Sequence, residues 1–379
     1  MLNGGSLNGD ADTVYVTSGT SIVLPTPTKH GYTFLGWYES TTATYPVTSP
    51  YRVHESKKLY AKWEAGAIIT GTKIYTMEDF KKIQSNPAGN YVLMNNIDCD
   101  GMALPIIGAD ANTPFSGIFE GQGYTISNFA PQSNQYIGFV GYNAGTIRNL
   151  NISNLNFNIE NTNTSNTVYV GGIAGYNVGT IERCTVTQSN ITVNLTNPRT
   201  AGLIAGESMG NVLNCGVKGT VKVTQPSATE NVACAGGVIG ANYGVIKDCY
   251  ANVAAYAYSY KKTYTSTYSN GYAGLITGEN MTTGSTISNC FVLGSVTKGN
   301  GCLGDIAGFS NGSITNCYKA DTVSLATDSG TVRTFATAQS ISNLSNKNFY
   351  SVSLGWDSSV WNYTNVNIAN DVYPSLIQK

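Results

Sequence analysis

Along most of the chain, apolar residues alternate with polar or small residues instead of recurring every three to four positions. This alternation predicts short β-strands, and the glycines between the apolar runs predict tight turns. One motif recurs. It begins with an apolar residue, has a glycine two positions later, an Asn or Ser two positions after that, and a second glycine after two more. A further apolar residue follows, and three residues after it comes Cys or Leu. It occupies residues 138–150, 172–184, 203–215, 237–249, 275–290 and 305–317, and its anchoring glycines are Gly141, Gly175, Gly206, Gly240, Gly278 and Gly308.

The repeats align in columns, as stacked coils of a β-solenoid require, because equivalent residues of neighbouring coils lie about 4.8 Å apart. One column is apolar: Ile126, Ile147, Ile181, Val212, Ile246, Ile287 and Ile314. Three residues later come Phe129, Leu150, Cys184, Cys215, Cys249, Cys290 and Cys317, each preceded in turn by Asn128, Asn149, Arg183, Asn214, Asp248, Asn289 and Asn316. A second polar column contains Asn143, Asn177, Ser208, Asn242, Asn280 and Ser310. The columns predict an all-β fold with a right-handed parallel β-solenoid of about seven coils over residues 113–335, about 34 Å long.

Five of the 8 cysteines fall in one column, and Cys234 and Cys302 share another, where Tyr169 and Tyr272 stand in other coils. A small thiol suits an interior column, so we expect a buried stack of free thiols. Vertical disulfides are the alternative, because a rise of about 4.8 Å per coil is within the Cα separation that a disulfide tolerates. No Cys-x-x-Cys pair occurs, and the 2 histidines lie far N-terminal to the repeats. We therefore expect neither a metal nor a cofactor.

The segments that flank the repeats are predicted to be caps. Thr76 to Asp79 is a capping box that opens a short helix with Phe80 and Ile83 on one face, which predicts an N-terminal cap at 66–112. This region, with the runs at 91–98 and 115–126 and the repeats that follow, resembles the GLUG-motif β-helix repeats of bacterial surface adhesins and of accessory regions of some secreted proteases. The aromatic segment 354–376 resembles the closing segment of that family and predicts a C-terminal cap at 336–379. The resemblance covers about 72–379.

The first 65 residues have a different pattern. The strings at 25–38 and 59–63 resemble the internalin-type B repeat, a small β-grasp module of bacterial surface and phage proteins. Tyr32, Phe34, Trp37 and Trp63 supply the aromatic area for a small core. In that family a strand precedes the Asn-Gly-Gly turn, whereas only Met1 and Leu2 precede it here. We expect the chain to be a fragment, or another chain to supply the strand.

Composition excludes several classes of function. Charged residues are 11% of the chain and the formal net charge is -1, which excludes a basic nucleic-acid surface and electrostatic membrane binding. No apolar run reaches the length of a membrane span, and the N-terminus lacks the basic and apolar regions of a secretory signal. The repeats contain no histidine, and their acidic residues Glu182, Glu207, Asp248, Glu279 and Asp305 are expected at different register positions. We therefore expect no enzymatic activity.

The longest coil contains the aromatic insertion that is the best candidate for a binding site. Tyr256, Tyr258 and Tyr260 share one strand face opposite Ala257 and Ser259, and the candidate ligand-binding residues are Tyr256, Tyr258, Tyr260, Lys261, Lys262 and Tyr264. The alternative is that these rings cover an outer face of the solenoid. The sequence favours an extracellular adhesin or spacer module of a bacterium that binds a glycan or protein on a cell surface. A phage fibre or receptor-binding protein on the virion is the other possibility.

Overall fold

The computed structural model describes every residue except 4–6, 8–12, 26, 28–31, 66–69, 133–134, 161–166, 197, 227–231, 260–270, 298–300, 327–330 and 378–379, and describes only the backbone of 32–33, 64–65 and 198–199. The chain divides into an N-terminal unit and a larger unit, Thr70–Leu376. The predicted boundaries after residues 65, 112 and 335 remain predictions.

The N-terminal unit contains two antiparallel strand pairs, Ser21–Ile22 with Tyr51–Arg52 and Tyr32–Tyr38 with Tyr60–Ala65. Its small core is aromatic, as expected: the Phe34 ring lies 5.6 Å from that of Trp37 and 5.4 Å from that of Trp63. Met1 lies beside the free edge of the last strand, where its amino group donates to the carbonyl of Leu59 and its carbonyl accepts from the amide of Ala61. This pattern is that of a parallel strand pair one residue long.

The larger unit is a parallel β-solenoid of about seven turns, which confirms the predicted fold class. Each full coil contributes in turn to sheets A, B, C and D, and two of the coils contribute two shorter strands to sheet D. Sheet A contains Tyr136–Ile137, Val168–Gly171, Pro198–Gly202, Cys234–Gly236, Tyr272–Gly274, Cys302–Gly304 and Thr331–Arg333. Sheet B contains Val140–Asn143, Ala174–Asn177, Ala205–Ser208, Ile239–Asn242, Thr277–Asn280 and Ala307–Ser310.

Sheets C and D complete the coils. Sheet C contains Thr72–Ile74, Tyr91–Leu93, Ile118–Glu120, Thr146–Arg148, Thr180–Glu182, Asn211–Leu213, Val245–Lys247, Thr286–Ser288 and Ser313–Thr315. Sheet D contains Ile97–Asp98, Thr125–Ser127, Asn151–Ser153, Asn156–Glu160, Thr185–Asn194, Gly216–Gln225, Tyr250–Ser259, Phe291–Thr297, Tyr318–Ala320, Ser324–Ala326 and Thr337–Gln339. Inward-facing apolar side chains from all four sheets form one continuous core.

The anchoring glycines are required where sheet B approaches sheet A. A Cβ on Gly240 would lie 2.6 Å from the amide nitrogen of Ala201 and 2.6 Å from the carbonyl oxygen of Gly206. A Cβ on Gly206 would lie 2.5 Å from the amide nitrogen of Val170. Backbone atoms cannot give way as a flexible side chain can, so only glycine fits these positions.

One part of the predicted alignment is wrong. Ile147 pairs with Phe119, whereas Ile126 pairs with Ile152 in sheet D. Ile126, Asn128 and Phe129 therefore do not belong to the columns that contain Ile147, Asn149 and Leu150. The error has a physical cause: the coil of Ile147 turns twice at an Asn with positive φ, 52° at Asn149 and 56° at Asn154, so both corners carry a similar sequence. Asn128, with φ of 56°, is the equivalent of Asn154 in the coil before it.

The N-terminal end of the solenoid carries the expected helix. A 3-10 turn, Met77–Asp79, leads into the α-helix Phe80–Ser85, in which Phe80 and Ile83 are buried. The Asp79 carboxylate accepts from the amides of Tyr75 and Thr76.

The C-terminal segment was predicted to close the opposite end, but most of it lies against the side of the solenoid. Only Thr337–Gln339 adds to the end of a sheet. Residues 340–376, which we call the strap, contain the α-helix Ile341–Leu344, the π-helix Phe349–Ser353, the 3-10 turn Ile368–Asn370 and the antiparallel strands Trp361–Asn362 and Ser375–Leu376. The strap packs on Tyr250, Phe291 and Tyr318 of sheet D, because a second apolar cluster lies there, outside the coils.

Candidate functional site

The five cysteines of the repeat column are buried free thiols stacked in neighbouring coils. Each thiol donates to the carbonyl oxygen two residues earlier, for example Cys215 Sγ to Leu213 O at 3.2 Å. The backbone amide of Cys215 also donates to Cys249 Sγ at 3.4 Å. Burial, and then the neighbouring thiol, raises the pKa values of Cys215, Cys249 and Cys290 well above the ordinary value. The thiols of these three cysteines stay protonated, so they pack in the core and are not reactive nucleophiles.

The polar columns hold the corners of the coils. Asn149, Arg183, Asn214, Asp248, Asn289 and Asn316 all have φ between 50° and 55°, a conformation that Asn and Asp tolerate best among residues with a Cβ. Asn289 donates to the Asp248 carboxylate at 3.0 Å, and Asn316 donates to Asn289 at 2.9 Å. In the second column, Asn143 donates to Asn177 at 2.7 Å. Both columns are therefore structural.

The broadest polar surface that the ladders define is the outer side of four long strands of sheet D. The strands lie in register, and their side chains alternate between the core and the surface. The inward residues, such as Ile191, Val221 and Ala255, are buried. The outward residues form what we call the polar face: Asn156, Asn158, Glu160, Asn190, Thr192, Asn194, Thr220, Lys222, Thr224, Ala254, Tyr256 and Tyr258. Each of them is exposed or half-buried.

The structure places two of the six candidate ligand-binding residues on this face. Tyr256 and Tyr258 point outward and are half-buried, while Ala257 and Ser259 are buried on the opposite side. The other four candidates, Tyr260, Lys261, Lys262 and Tyr264, lie outside the described residues. The alternation predicted for the described part of the insertion is present.

Neighbouring coils supply the surroundings of these tyrosines. Tyr256 lies opposite Lys222, whose Nζ is 5.4 Å from the centre of the Tyr256 ring, a cation–π contact. Tyr258 lies opposite Thr224. The face thus combines amides, hydroxyls and two aromatic rings with one cationic and one anionic side chain. These groups can donate and accept hydrogen bonds, and they contain neither a nucleophile paired with a base nor a set of metal ligands.

A second aromatic cluster, which the sequence analysis did not identify, lies outside the core where sheets A and B meet. It consists of Tyr136, Tyr142, Tyr169 and Tyr176. Tyr136 stacks on Tyr169 at 5.3 Å and Tyr142 stacks on Tyr176 at 5.0 Å, so the rings largely cover one another. Burial, and then the charge of Glu207, raises the pKa of Tyr176. The sequence contained one sign of this cluster, because Tyr142 and Tyr176 each directly follow an anchoring glycine.

The expectation that the acidic residues occupy different register positions is wrong for one pair. Glu207 and Glu279 lie in the same column of sheet B, separated by Ala241 of the coil between them. Two coil spacings are about 9.6 Å, a separation at which a pair of carboxylates can act on a substrate between them. Both side chains are more than nine-tenths buried, Glu207 being 4% and Glu279 8% exposed. Both glutamates directly follow an anchoring glycine, so the sequence alone contained this alignment.

Two further classes of site are absent from the described part of the chain. No group of three or more His, Cys, Asp or Glu side chains is arranged to hold a metal ion among the described residues. Within the same residues, no helix is both long and apolar enough to cross a membrane.

The fold and the polar face define a β-solenoid protein with an extended polar and aromatic outer surface, preceded by a small antiparallel unit. Residues 1–62 match the family model of the Listeria-Bacteroides repeat domain. This match agrees with the resemblance seen in the N-terminal sequence.

Solved structures with a similar fold come from proteins described as immunoglobulin A1 proteases. One, from Bacteroides ovatus and provisionally so named, has a TM-score of 0.60 and 19% identity, and the match covers 83% of this chain and 94% of that one. A second, described as IgA1 protease, has a TM-score of 0.47 and 13% identity over 88% of this chain and 28% of that chain. No curated protein sequence matches the chain. The first likeness, at 19% identity, shows the fold alone.

Proposed function

We propose that this chain is a non-enzymatic adhesive or spacer module on the outer surface of a bacterium, built from GLUG-type repeats, with the polar face as its contact surface. The proposal rests on two outward tyrosines, Tyr256 and Tyr258. They lie on the last of the four in-register strands that form the polar face of a rigid solenoid. The Listeria-Bacteroides repeat supports the location, because it is typical of bacterial surface proteins.

The partner of such a module is a glycan or a protein on a cell surface. Tyrosine offers a large contact area with few rotatable bonds, so it loses little entropy on binding. A parallel solenoid is stiff, because each coil is hydrogen-bonded to both of its neighbours, and it holds a contact surface at a fixed distance. In the N-terminal unit, the position of Met1 beside Leu59 and Ala61 supports a further partner, a strand that extends this pairing.

The test uses beads coated with the full chain and counts the beads bound to bacterial and epithelial cells. The double variant Tyr256→Ser, Tyr258→Ser is expected to bind at least about tenfold fewer beads, because tyrosines at the centre of an interface carry a large share of the binding energy. Tyr75→Ser, at an exposed tyrosine outside the polar face, is the matched control and should bind normally. Undiminished binding by a folded double variant would contradict the proposed surface.

A further inference from the structure

We infer that the polar face binds an uncharged, linear polysaccharide that runs along the solenoid axis, across the strands. This inference rests on the proposed function and narrows it to one class of ligand and one direction. It starts from the dimensions of the face. Four strands span three spacings, about 14 Å along the axis, and three outward positions per strand span about 13 Å across it.

Outward positions recur more closely along the axis than along a strand, about every 4.8 Å against about every 6.6 Å. One column contains Asn156, Asn190, Thr220 and Ala254, and the next contains Asn158, Thr192, Lys222 and Tyr256. The third contains Glu160, Asn194, Thr224 and Tyr258. Equivalent positions repeat about every 4.8 Å, close to the length of one sugar unit in an extended polysaccharide. A chain along the axis would therefore meet amides or hydroxyls on the first three strands and the tyrosines on the fourth.

The charge of the face argues against a charged polymer. Its described residues include one carboxylate, on Glu160, and one ammonium, on Lys222, so their charges cancel. A polyanion needs a series of Lys or Arg side chains, and a basic peptide needs a series of carboxylates. Asn and Thr side chains donate and accept hydrogen bonds without charge, which matches the hydroxyl groups of a neutral sugar.

The other aromatic surface does not fit this ligand. The four tyrosines where sheets A and B meet stack on one another at 5.0–5.3 Å, so their ring faces are used within the protein. The polar face differs, because half of its outward side chains are exposed rather than half-buried, namely Asn156, Asn158, Glu160, Asn190, Lys222 and Ala254.

Calorimetry on the full chain tests the inference with cello-, manno- and chito-oligosaccharides of two, four and six units, and with heparin as a charged comparison. For at least one neutral series, affinity should rise at least tenfold from two to four units, change little from four to six, and be unaffected by 0.5 M NaCl. The variants Asn158→Ala and Thr192→Ala, three and two coils from Tyr256, should each weaken binding of the four-unit sugar about threefold to tenfold. Asn211→Ala, at an exposed asparagine on sheet C, is the matched control and should leave it unchanged.

Each alternative outcome overturns the inference. Affinity that does not depend on length means that the ligand does not follow the axis. Binding of heparin alone, lost in salt, means that the ligand is a polyanion. Normal binding by the Asn158 and Thr192 variants places the sugar elsewhere. If beads bind cells through Tyr256 and Tyr258 but no neutral oligosaccharide binds, the inference fails and the proposed function stands. If the tyrosine variant binds cells normally and no neutral oligosaccharide binds, both the inference and the proposed function are wrong.

Discussion

The strap provides the sharpest test of how this solenoid is stabilised, and Trp361→Ala is the perturbation. Trp361 is 1% exposed, its ring lies 4.6 Å from that of Trp356, and its Nε1 donates to Asn214 Oδ1 at 3.2 Å. Removal of a buried tryptophan costs about 3 to 5 kcal/mol, and loss of the hydrogen bond is included in that range. We take about 4 kcal/mol as the expected loss.

The loss should appear in the strap and not in the coils. The strap contacts sheet D only from outside, at Tyr250, Phe291 and Tyr318, whereas the coils hold one another through the backbone ladders of four sheets. Loss of about 4 kcal/mol should therefore increase local opening of the strap by up to about a thousandfold.

Hydrogen exchange measured by mass spectrometry is the assay, because it reports the strap and the coils as separate peptides. Peptides from 340–376 of the variant should exchange 10²- to 10³-fold faster, on the order of 1.4 kcal/mol per factor of ten, while peptides from sheets B and C keep their protection. Val352→Ala, at a side chain of the strap that is 76% exposed, is the control and should change exchange little. Equal acceleration in strap and coils would refute the reasoning, and so would an unchanged strap.

Three further perturbations test other parts of the structure. Cys215→Asp should cost several kcal/mol more than Cys215→Ala, because it buries a charge beside two thiols, and equal melting temperatures would mean that the column faces water. Gly240→Ala should cost at least about 1 to 3 kcal/mol in urea denaturation because its Cβ would meet backbone, whereas Gly284→Ala, with nothing within 4 Å of the added carbon, should be nearly neutral. The Lys82 ammonium, followed by the amides of Tyr75 and Thr76, lowers the pKa of Asp79 to about 2. Because this pKa is below its ordinary value, the stabilisation by Asp79 is present above about pH 4 and is lost as the pH falls toward 2, so Asp79→Asn should lower the melting temperature at pH 7 and not at pH 2.

The interior of the solenoid could be predicted because its chemistry repeats. Cys184, Cys215 and Cys249 follow the same apolar and glycine positions in each repeat, and the structure stacks them in register. The same logic failed at Ile126, since two corners of one coil need the same left-handed Asn and so look alike in sequence. Repetition identifies what each coil must contain, but not which of two similar corners a string belongs to.

The sites outside the coils depend on contacts that the repeat does not encode. The tyrosine cluster spans two sheets and two coils, since the Tyr136 ring of sheet A lies 5.9 Å from the Tyr176 ring of sheet B. The strap was expected at the end of the solenoid, and its lateral position follows from aromatic residues in three successive coils. The polar face was predicted only at Tyr256 and Tyr258, because its other residues lie in three separate coils.

One outward column of sheet D shows how the same scaffold is given different surfaces along its length. The column contains Thr125, Asn151, Thr185 and Gly216 in the earlier coils and Tyr250, Phe291 and Tyr318 in the later ones. The change coincides with the edge of the strap. A Cβ on Gly216 would lie 2.3 Å from the Tyr250 ring, so glycine is needed where the polar stretch ends and the aromatic stretch begins. Inward positions are constrained by every neighbouring coil, whereas outward positions vary from coil to coil without disturbing the core. Differences in function between such solenoids should therefore lie in outward columns, such as those that form the polar face.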